Sequence, residues 1–168
     1  MTTIICDVTR KIIGADSGQV DGNLRRTTTK IVQLDCGIAA WSGEHQSGLQ
    51  WIRWLRAHGF SPEGRPEPIP ELNALLLRFD GLYHYENLCM AAKVSDDIYG
   101  IGSGSQFGMA ALACGKSMEE ALHVAAYFDL YTAPPFIIYD LRDASEDENG
   151  HMLAEPQLIE GDVWIPRL

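Results

Sequence analysis

Long apolar runs are missing from this 168-residue sequence. None reaches the roughly 18 residues that a membrane-spanning helix needs, so no membrane partner is expected. Basic residues are also short: 13 Lys and Arg stand against 23 Asp and Glu, for a net charge of −10 and a pI near 4.8. So acidic a chain is repelled by phosphate backbones and anionic lipid, which excludes nucleic acid as a natural partner. Cysteine is sparse and unpatterned. Cys6, Cys36, Cys89 and Cys114 form no C-x-x-C and no regular spacing, which reads as reduced core thiols in a cytoplasmic protein. His45, His58, His84, His123 and His151 lack the spacing of a metal site. The first apolar run is short and already alternates with polar residues, so no secretory leader is expected.

What is present suits one globular domain spanning residues 1–168, with 46% hydrophobic and 21% charged residues. The N-terminal stretch organises the rest. Thr3–Cys6 and Lys11–Gly14 are apolar, β-branched runs around a polar turn at Asp7–Arg10, which predicts a hairpin. That hairpin returns Asp16 to the side of Thr2 and Thr3. Ser17–Asn23 reads as a glycine-bearing loop, Thr27–Leu34 as a third strand and Ile38–Gly43 as a fourth, more buried one. From Ser47 to His58 the period becomes helical, with Trp51, Trp54, Leu55 and His58 on one face and Gly59 as C-cap.

Pro66, Pro68 and Pro70 exclude helix or central strand there. Asn73–Phe79 and Leu82–Glu86 predict a hairpin turning at Asp80-Gly81. Met90–Val94 or Ile98–Ile101 supplies a further strand. Two helices follow. The first, about Gln106–Cys114, carries Gly108, Ala110, Ala111 and Ala113, small residues suited to close packing on a sheet. The second has Ser117 as N-cap and Glu120 at the capping-box position, with Met118, Ala121, Leu122, Ala125 and Phe128 on its apolar face, and ends at Pro134-Pro135. Phe136–Tyr139 is another strand, Asp143–Asn149 an acidic turn, and the remainder a final hairpin. Strands, helix, strands, helices and strands in this order predict an α+β fold, two antiparallel sheets face to face with helices outside: an αββα sandwich.

Several residues carry chemistry in more than one reading. An N-terminal Thr acts as a nucleophile with its own amine as base, and removal of Met1 would make Thr2 such a residue. Taken alone, Asp16 also suits a turn and Lys30 a strand lysine lying along the surface. Gly102-Ser103-Gly104-Ser105 suits a linker or a phosphate nest, without the Lys of a P-loop.

In order, these motifs resemble the proteasome β-subunit family of N-terminal nucleophile hydrolases, the HslV type above all. Thr2-Thr3-Ile4 resembles the mature start, Gly14-Ala15-Asp16-Ser17 the Asp-bearing second strand, and Thr29-Lys30-Ile31-Val32 the lysine segment. Trp41-Ser42-Gly43 resembles the strand end that supplies an oxyanion-hole amide. Ile101–Ser105 and Asp129-Leu130-Tyr131-Thr132 resemble the two later signatures. The resemblance spans Thr2 to about Asp140 and is weakest over Ser61–Glu86.

It implies a threonine-type endopeptidase with Thr2 as nucleophile and Lys30 as the cation beside it. Asp16 would orient the lysine, the Gly43 amide bind the oxyanion, and Ser103 and Asp129 hold the N-terminus. It implies no cofactor for the chemistry, and a monovalent cation such as Na+ on the backbone carbonyls of Ala126, Asp129 and Thr132. The implied partners are polypeptide substrates, further copies in a single or double ring and an AAA+ ATPase unfoldase. The family's second long helix is replaced here by the proline-rich loop, which shortens one helical layer and puts the ATPase contact in question. Trp51, Trp54 and Leu55, beside that loop, are candidates for either core or ring interface. The alternative to an enzyme is a catalytically inactive assembly or binding protein of the same fold that retains Met1.

Overall fold

The computed structural model describes residues 2–21, 24–64, 66–87 and 90–161. Strands β1 (Ile4–Asp7) and β2 (Ile12–Asp16) form the expected hairpin, with Ile4 opposite Ala15 and Cys6 opposite Ile13. On β1, Ile4 and Cys6 face one core and Ile5 another, the two-residue alternation of a strand buried on both sides. A one-residue slip would exchange these faces, so packing fixes the register.

Two further strands lie where the sequence predicts a loop and the start of the next strand: β3 (Gly18–Asp21) and β4 (Leu24–Thr27) pair as a small hairpin. Polar, glycine-bearing residues gave no strand pattern here, yet the backbone pairs from Gly18 opposite Thr27 to Asp21 opposite Leu24. The predicted third strand is accordingly shorter, β5 (Ile31–Leu34), and is followed by β6 (Gly37–Gly43) and α1 (His45–His58). Gly59 caps α1 as expected, donating its N–H to the Leu55 carbonyl.

β7 (Leu72–Arg78) and β8 (Gly81–Glu86) pair with Arg78 opposite Gly81, so the turn is centred on Phe79-Asp80, one residue before the predicted Asp-Gly. Both proposed follow-on strands exist, as β9 (Ala92–Lys93) and β10 (Ile98–Ile101). Helices α2 (Ser105–Ala113) and α3 (Met118–Phe128) come next, and α3 has the complete Ser117–Glu120 capping box. It ends at Phe128, well before Pro134-Pro135. β11 (Phe136–Asp140) follows, then β12 (Ser145–Glu146) and β13 (Met152–Leu153), paired with each other. Instead of closing a terminal hairpin, β14 (Pro156–Ile159) pairs with β11.

The result is mixed α+β. One five-stranded antiparallel sheet has the order β10-β1-β2-β11-β14 and the other β5-β6-β7-β8-β9. Ile4, Cys6, Ile13 and Ala15 from the first meet Ile31, Ile38, Ala40, Leu75 and Leu77 from the second in a shared core. α2 and α3 pack on β1, β2, β10 and β11, and α1 on β6 and β7.

Two of the four small residues set the α2 contact: Gly108 and Ala111 are buried, and a Cβ on Gly108 would come 2.8 Å from Ile5 Cδ1, whereas Ala110 and Ala113 lie on the exposed side of the helix. Trp51 and Leu55, candidates for an interface, are instead 0% and 1% exposed. The face they share turns onto the sheet, and Trp51 meets the Tyr85 ring at 5.0 Å. Trp54 lies half-buried against His58. The proline-rich segment contributes to the same core through Ile69, which is fully buried. Phe128, expected on the buried face of α3, is 61% exposed because it is the last helical residue and stacks on Phe107 rather than on the sheet. Not all thiols are core groups either. Cys6 is buried and Cys36 half-buried, but Cys114 is exposed, and Cys89 lies outside the described residues. No helix among the described residues is long and apolar enough to cross a membrane.

Candidate active site

The hairpin register carries Thr3 opposite Asp16, and side chain and main chain both use that proximity. Asp16 N–H donates to the Thr3 carbonyl at 3.0 Å, while Thr3 N–H donates to Asp16 Oδ1 at 2.8 Å. The other carboxylate oxygen accepts from the amides of Gly18 at 3.0 Å and Ala133 at 3.3 Å. Lys30, immediately before β5, reaches across and donates to both carboxylate oxygens at 3.0 Å and to the Gly18 carbonyl. Asp16 is 1% and Lys30 4% exposed.

An ion pair so buried persists only with its remaining valences satisfied, and here backbone amides and a carbonyl satisfy them. Burial pushes the Asp16 carboxyl above its ordinary value, opposed by the Lys30 charge and by the Thr3 and Ala133 amides. Burial likewise pushes the Lys30 ammonium down, opposed by Asp16 and, from further off, Asp129. A lysine so placed gives up its proton more readily than one in water.

A second cluster holds the same residue from its other end. Ser103 Oγ and Thr132 Oγ1 both donate to Asp129 Oδ2, at 2.9 and 2.6 Å. With its proton committed to Asp129, the Thr132 hydroxyl accepts from Thr3 Oγ1, with which it is hydrogen-bonded. Gly104 must lack a side chain here, because a Cβ would overlap Thr3 Oγ1 and lie 3.0 Å from Asp129 Oδ2. Thr3 is thus gripped at its amide by Asp16 and at its hydroxyl through Thr132.

Thr2, directly before it, is 4% exposed. Its carbonyl lies against Gly102, whose φ of +91° and lack of Cβ allow that approach. A Cβ on Gly102 would also stand 3.3 Å from Ser42 Oγ, which brings the end of β6 to the same place. Gly43, next along, is exposed with φ +91°, and a Cβ there would come 2.7 Å from the Glu71 carbonyl.

The expected residues Thr2, Asp16, Lys30, Gly43, Ser103 and Asp129 therefore converge on one end of the sandwich. The positions proposed for a cation are close by. Ala126 lies in the last turn of α3, Asp129 is its C-cap, and the Asp129 carbonyl already accepts from Thr132 N–H at 3.2 Å. Sequence reasoning missed the roles of Thr3, of the Thr132 side chain, and of the Gly18 and Ala133 amides. The Asp-x-x-Thr spacing of Asp129 and Thr132 was an available signal, being a common local side-chain turn.

No family model matches the chain, and no curated protein matches it in sequence. Solved structures do. A Gly-1 mutant of Anbu from Hyphomicrobium sp. strain MC1 superposes with a TM-score of 0.69 at 12% identity, over 97% of this chain and 89% of that one. Thiobacillus denitrificans BPH superposes with a TM-score of 0.61 at 15% identity, covering 96% and 99% of the two chains. The same protein in complex with epoxomicin gives 0.61 at 13% identity over 95% and 100%. The fold is proteasome-like. At such low identity the likeness concerns the proteasome-like fold alone.

Proposed function

We propose that the chain is a threonine-type endopeptidase subunit of the N-terminal nucleophile class, of proteasome β-subunit and HslV type, with a four-layer αββα sandwich whose α1 side is shortened. The observation that carries this reading is the buried Lys30–Asp16 pair clamping the amide of Thr3, one residue beyond Thr2. Such a clamp fixes a strand start to a fraction of an ångström, as an attacking hydroxyl requires. Thr3 itself is fully buried with its amide and hydroxyl committed, which supports Thr2 rather than Thr3 as the nucleophile.

With Met1 removed, the Thr2 hydroxyl attacks the peptide carbonyl and its own amine, of ordinary pKa about 8, takes the proton. Lys30 favours the developing alkoxide, Asp16 holds Lys30, and Ser103 and Asp129 keep the strand start in place. The Gly43 amide receives the oxyanion, a contribution of about 2.7–4 kcal/mol for one such donor. Hydrolysis of fluorogenic peptide amides tests the assignment. Thr2→Ala should abolish it and Thr2→Ser retain part of it; full activity in Thr2→Ala removes the nucleophile.

The same reading makes the protein cytoplasmic and its assembly a homo-oligomeric single or double ring that encloses the site, fed by an AAA+ ATPase. A stable monomer at micromolar concentration in mass photometry would refute the ring. A Na+ on the carbonyls of Ala126, Asp129 and Thr132 belongs to this proposal too, and activity indifferent to sodium and potassium counts against it. The alternative, an inactive assembly protein that retains Met1, draws support from the near-complete burial of Thr2 in the chain that carries Met1.

A further inference from the structure

Away from the Asp16–Lys30 cluster, three polar side chains form a chain that crosses from one sheet to the other. His84 on β8 donates from Nε2–H to Asn73 Oδ1 on β7 at 2.8 Å, a bond within one sheet. Its Nδ1 accepts from the Tyr99 hydroxyl on β10 at 3.0 Å, a bond between the sheets. The His84 and Tyr99 rings meet at 5.5 Å, and the His84 side chain is only 13% exposed. His84 stands opposite Leu75 and two residues from Leu82, both fully buried in the core that the sheets share. A satisfied polar chain in such surroundings rigidifies the elements that it joins.

Each end of the chain leads to the candidate active site. Asn73 lies opposite Ser42, and Gly43 is the next residue along β6. Tyr99 lies opposite Cys6, and Ile101, two residues on, lies opposite Ile4. Gly102 follows, against the Thr2 carbonyl. Three extended residues span ~10 Å, so Tyr99 holds β10 within that distance of the nucleophile's own support. The circuit closes at the site, where a Cβ on Gly102 would stand 3.3 Å from Ser42 Oγ.

We propose that His84 is a positioning residue for the reaction: the Tyr99–His84–Asn73 chain sets the distance between the strand that delivers Thr2 and the strand end that delivers the Gly43 amide. The proposal rests on the threonine-protease reading and adds to it a residue that never touches substrate. Nucleophile and oxyanion donor come from different sheets, so a change in their separation disturbs attack and charge stabilisation together. Misplacement by ~1 Å costs ~100-fold in rate. Loss of one bond ~10 Å away shifts the site by less, and a fall in kcat of about 5–20-fold is expected.

Variants separate the two bonds. The amide oxygen of Asn stands near the place of imidazole Nδ1, and the amide nitrogen of Gln near that of Nε2. His84→Asn therefore keeps an acceptor for Tyr99 across the sheets, whereas His84→Gln keeps only the donor to Asn73. Tyr99→Phe removes the hydroxyl and leaves the ring in place.

Full-length chains starting at Thr2, released from a cleavable N-terminal fusion, are assayed near neutral pH on fluorogenic peptide amides. Tyr99→Phe and His84→Gln should each lower kcat by about 5–20-fold with KM within about twofold, because the lost interaction acts in the transition state. His84→Asn should keep most of the parental kcat. The double variant Tyr99→Phe with His84→Gln should be no worse than the poorer single, since both cut the same bond. Amide hydrogen exchange should quicken at residues 42–44 and 101–104 together in the two damaging variants. A lower melting temperature with kcat within about twofold of the parent would make the chain merely structural and overturn the proposal, leaving the protease reading intact. His84→Asn as impaired as His84→Gln, or exchange unchanged at both segments, also overturns it alone. A parent protein without hydrolysis overturns the protease reading and the positioning role with it.

Discussion

Replacing Lys30 by Met keeps the length and apolar body of the side chain and deletes its charge. Asp16, 1% exposed, then stands without its ammonium but keeps the Thr3, Gly18 and Ala133 amides. Removing one partner of a buried pair costs about 3–5 kcal/mol, and the surviving amide donors place this case near ~3 kcal/mol. In a chain of this size that lowers the melting temperature by about 6–12 °C. The deficit should depend on pH. Burial raises the Asp16 carboxyl, and losing Lys30, the largest opposing influence, raises it further. The folded state of the variant then binds a proton that the unfolded state has released. The stability contributed by that proton is present below the unfolded carboxyl's pKa and lost as pH rises through the folded one. Lys30→Met should therefore be least impaired near about pH 4 and most impaired at neutral pH. Asp16→Asn combined with Lys30→Met should recover part of the loss, giving a coupling energy of about 1–3 kcal/mol in a double-mutant cycle. Urea unfolding of the four proteins from pH 4 to pH 8 measures all of this. If Lys30→Met stays within about 1 kcal/mol of the parent throughout, or the double variant is no better than the sum of the singles, the buried pair is not the clamp described here.

Gly102→Ala places a Cβ on the Thr2 carbonyl at a φ of +91°. Strain of about 1–3 kcal/mol should appear in unfolding midpoints, and peptide hydrolysis should fall much further than that loss implies; unchanged activity would separate Gly102 from the site. His84 bridges the sheets, Nε2–H donating to Asn73 Oδ1 at 2.8 Å and Nδ1 accepting from the Tyr99 hydroxyl at 3.0 Å. Burial lowers its pKa against the opposing pull of Glu86. The unfolded state then binds more protons between the folded and unfolded pKa values, so stability rises with pH there and is lost as pH falls. His84→Gln should flatten that rise in urea titrations below about pH 6.5, and an unaltered slope would show that His84 is not the group responsible.

How much of this was legible in the sequence depended on whether local pattern and tertiary packing agreed. The β1–β2 hairpin, the Ser117–Glu120 capping box and the Gly59 cap are local devices, and each stands where its residues predict. Asp16 was recognisable because the predicted hairpin returns it to the first residues, whereas Lys30 and Gly43 were singled out only through motifs that resemble those of the proteasome β-subunit family. The β3–β4 hairpin was not recognisable, because Ser17–Asn23 is polar and glycine-bearing in sequence and shows no two-residue apolar alternation. Nor was β14, which joins β11 across the intervening β12–β13 pair through contacts with no local signal. Phe128 continues the helical period of α3 but falls at its last residue, where periodicity says nothing about whether a sheet lies beneath. The anchoring role of Thr3 was hidden, because only the strand register, with Thr3 opposite Asp16, shows it.

The central claim is that the Thr2 hydroxyl and α-amine act together, and a peptide epoxyketone interrogates both at once, since its ketone and epoxide are trapped by a hydroxyl and an amine on neighbouring carbons. Intact-mass and fragmentation spectra should be recorded after incubation with the Thr2-start protein, its Thr2→Ala variant and the Met1-start form. The account predicts one adduct per chain, located on Thr2, in the Thr2-start protein and none in the other two. An adduct of equal yield on the Met1-start form, or no adduct on any of them, would contradict it.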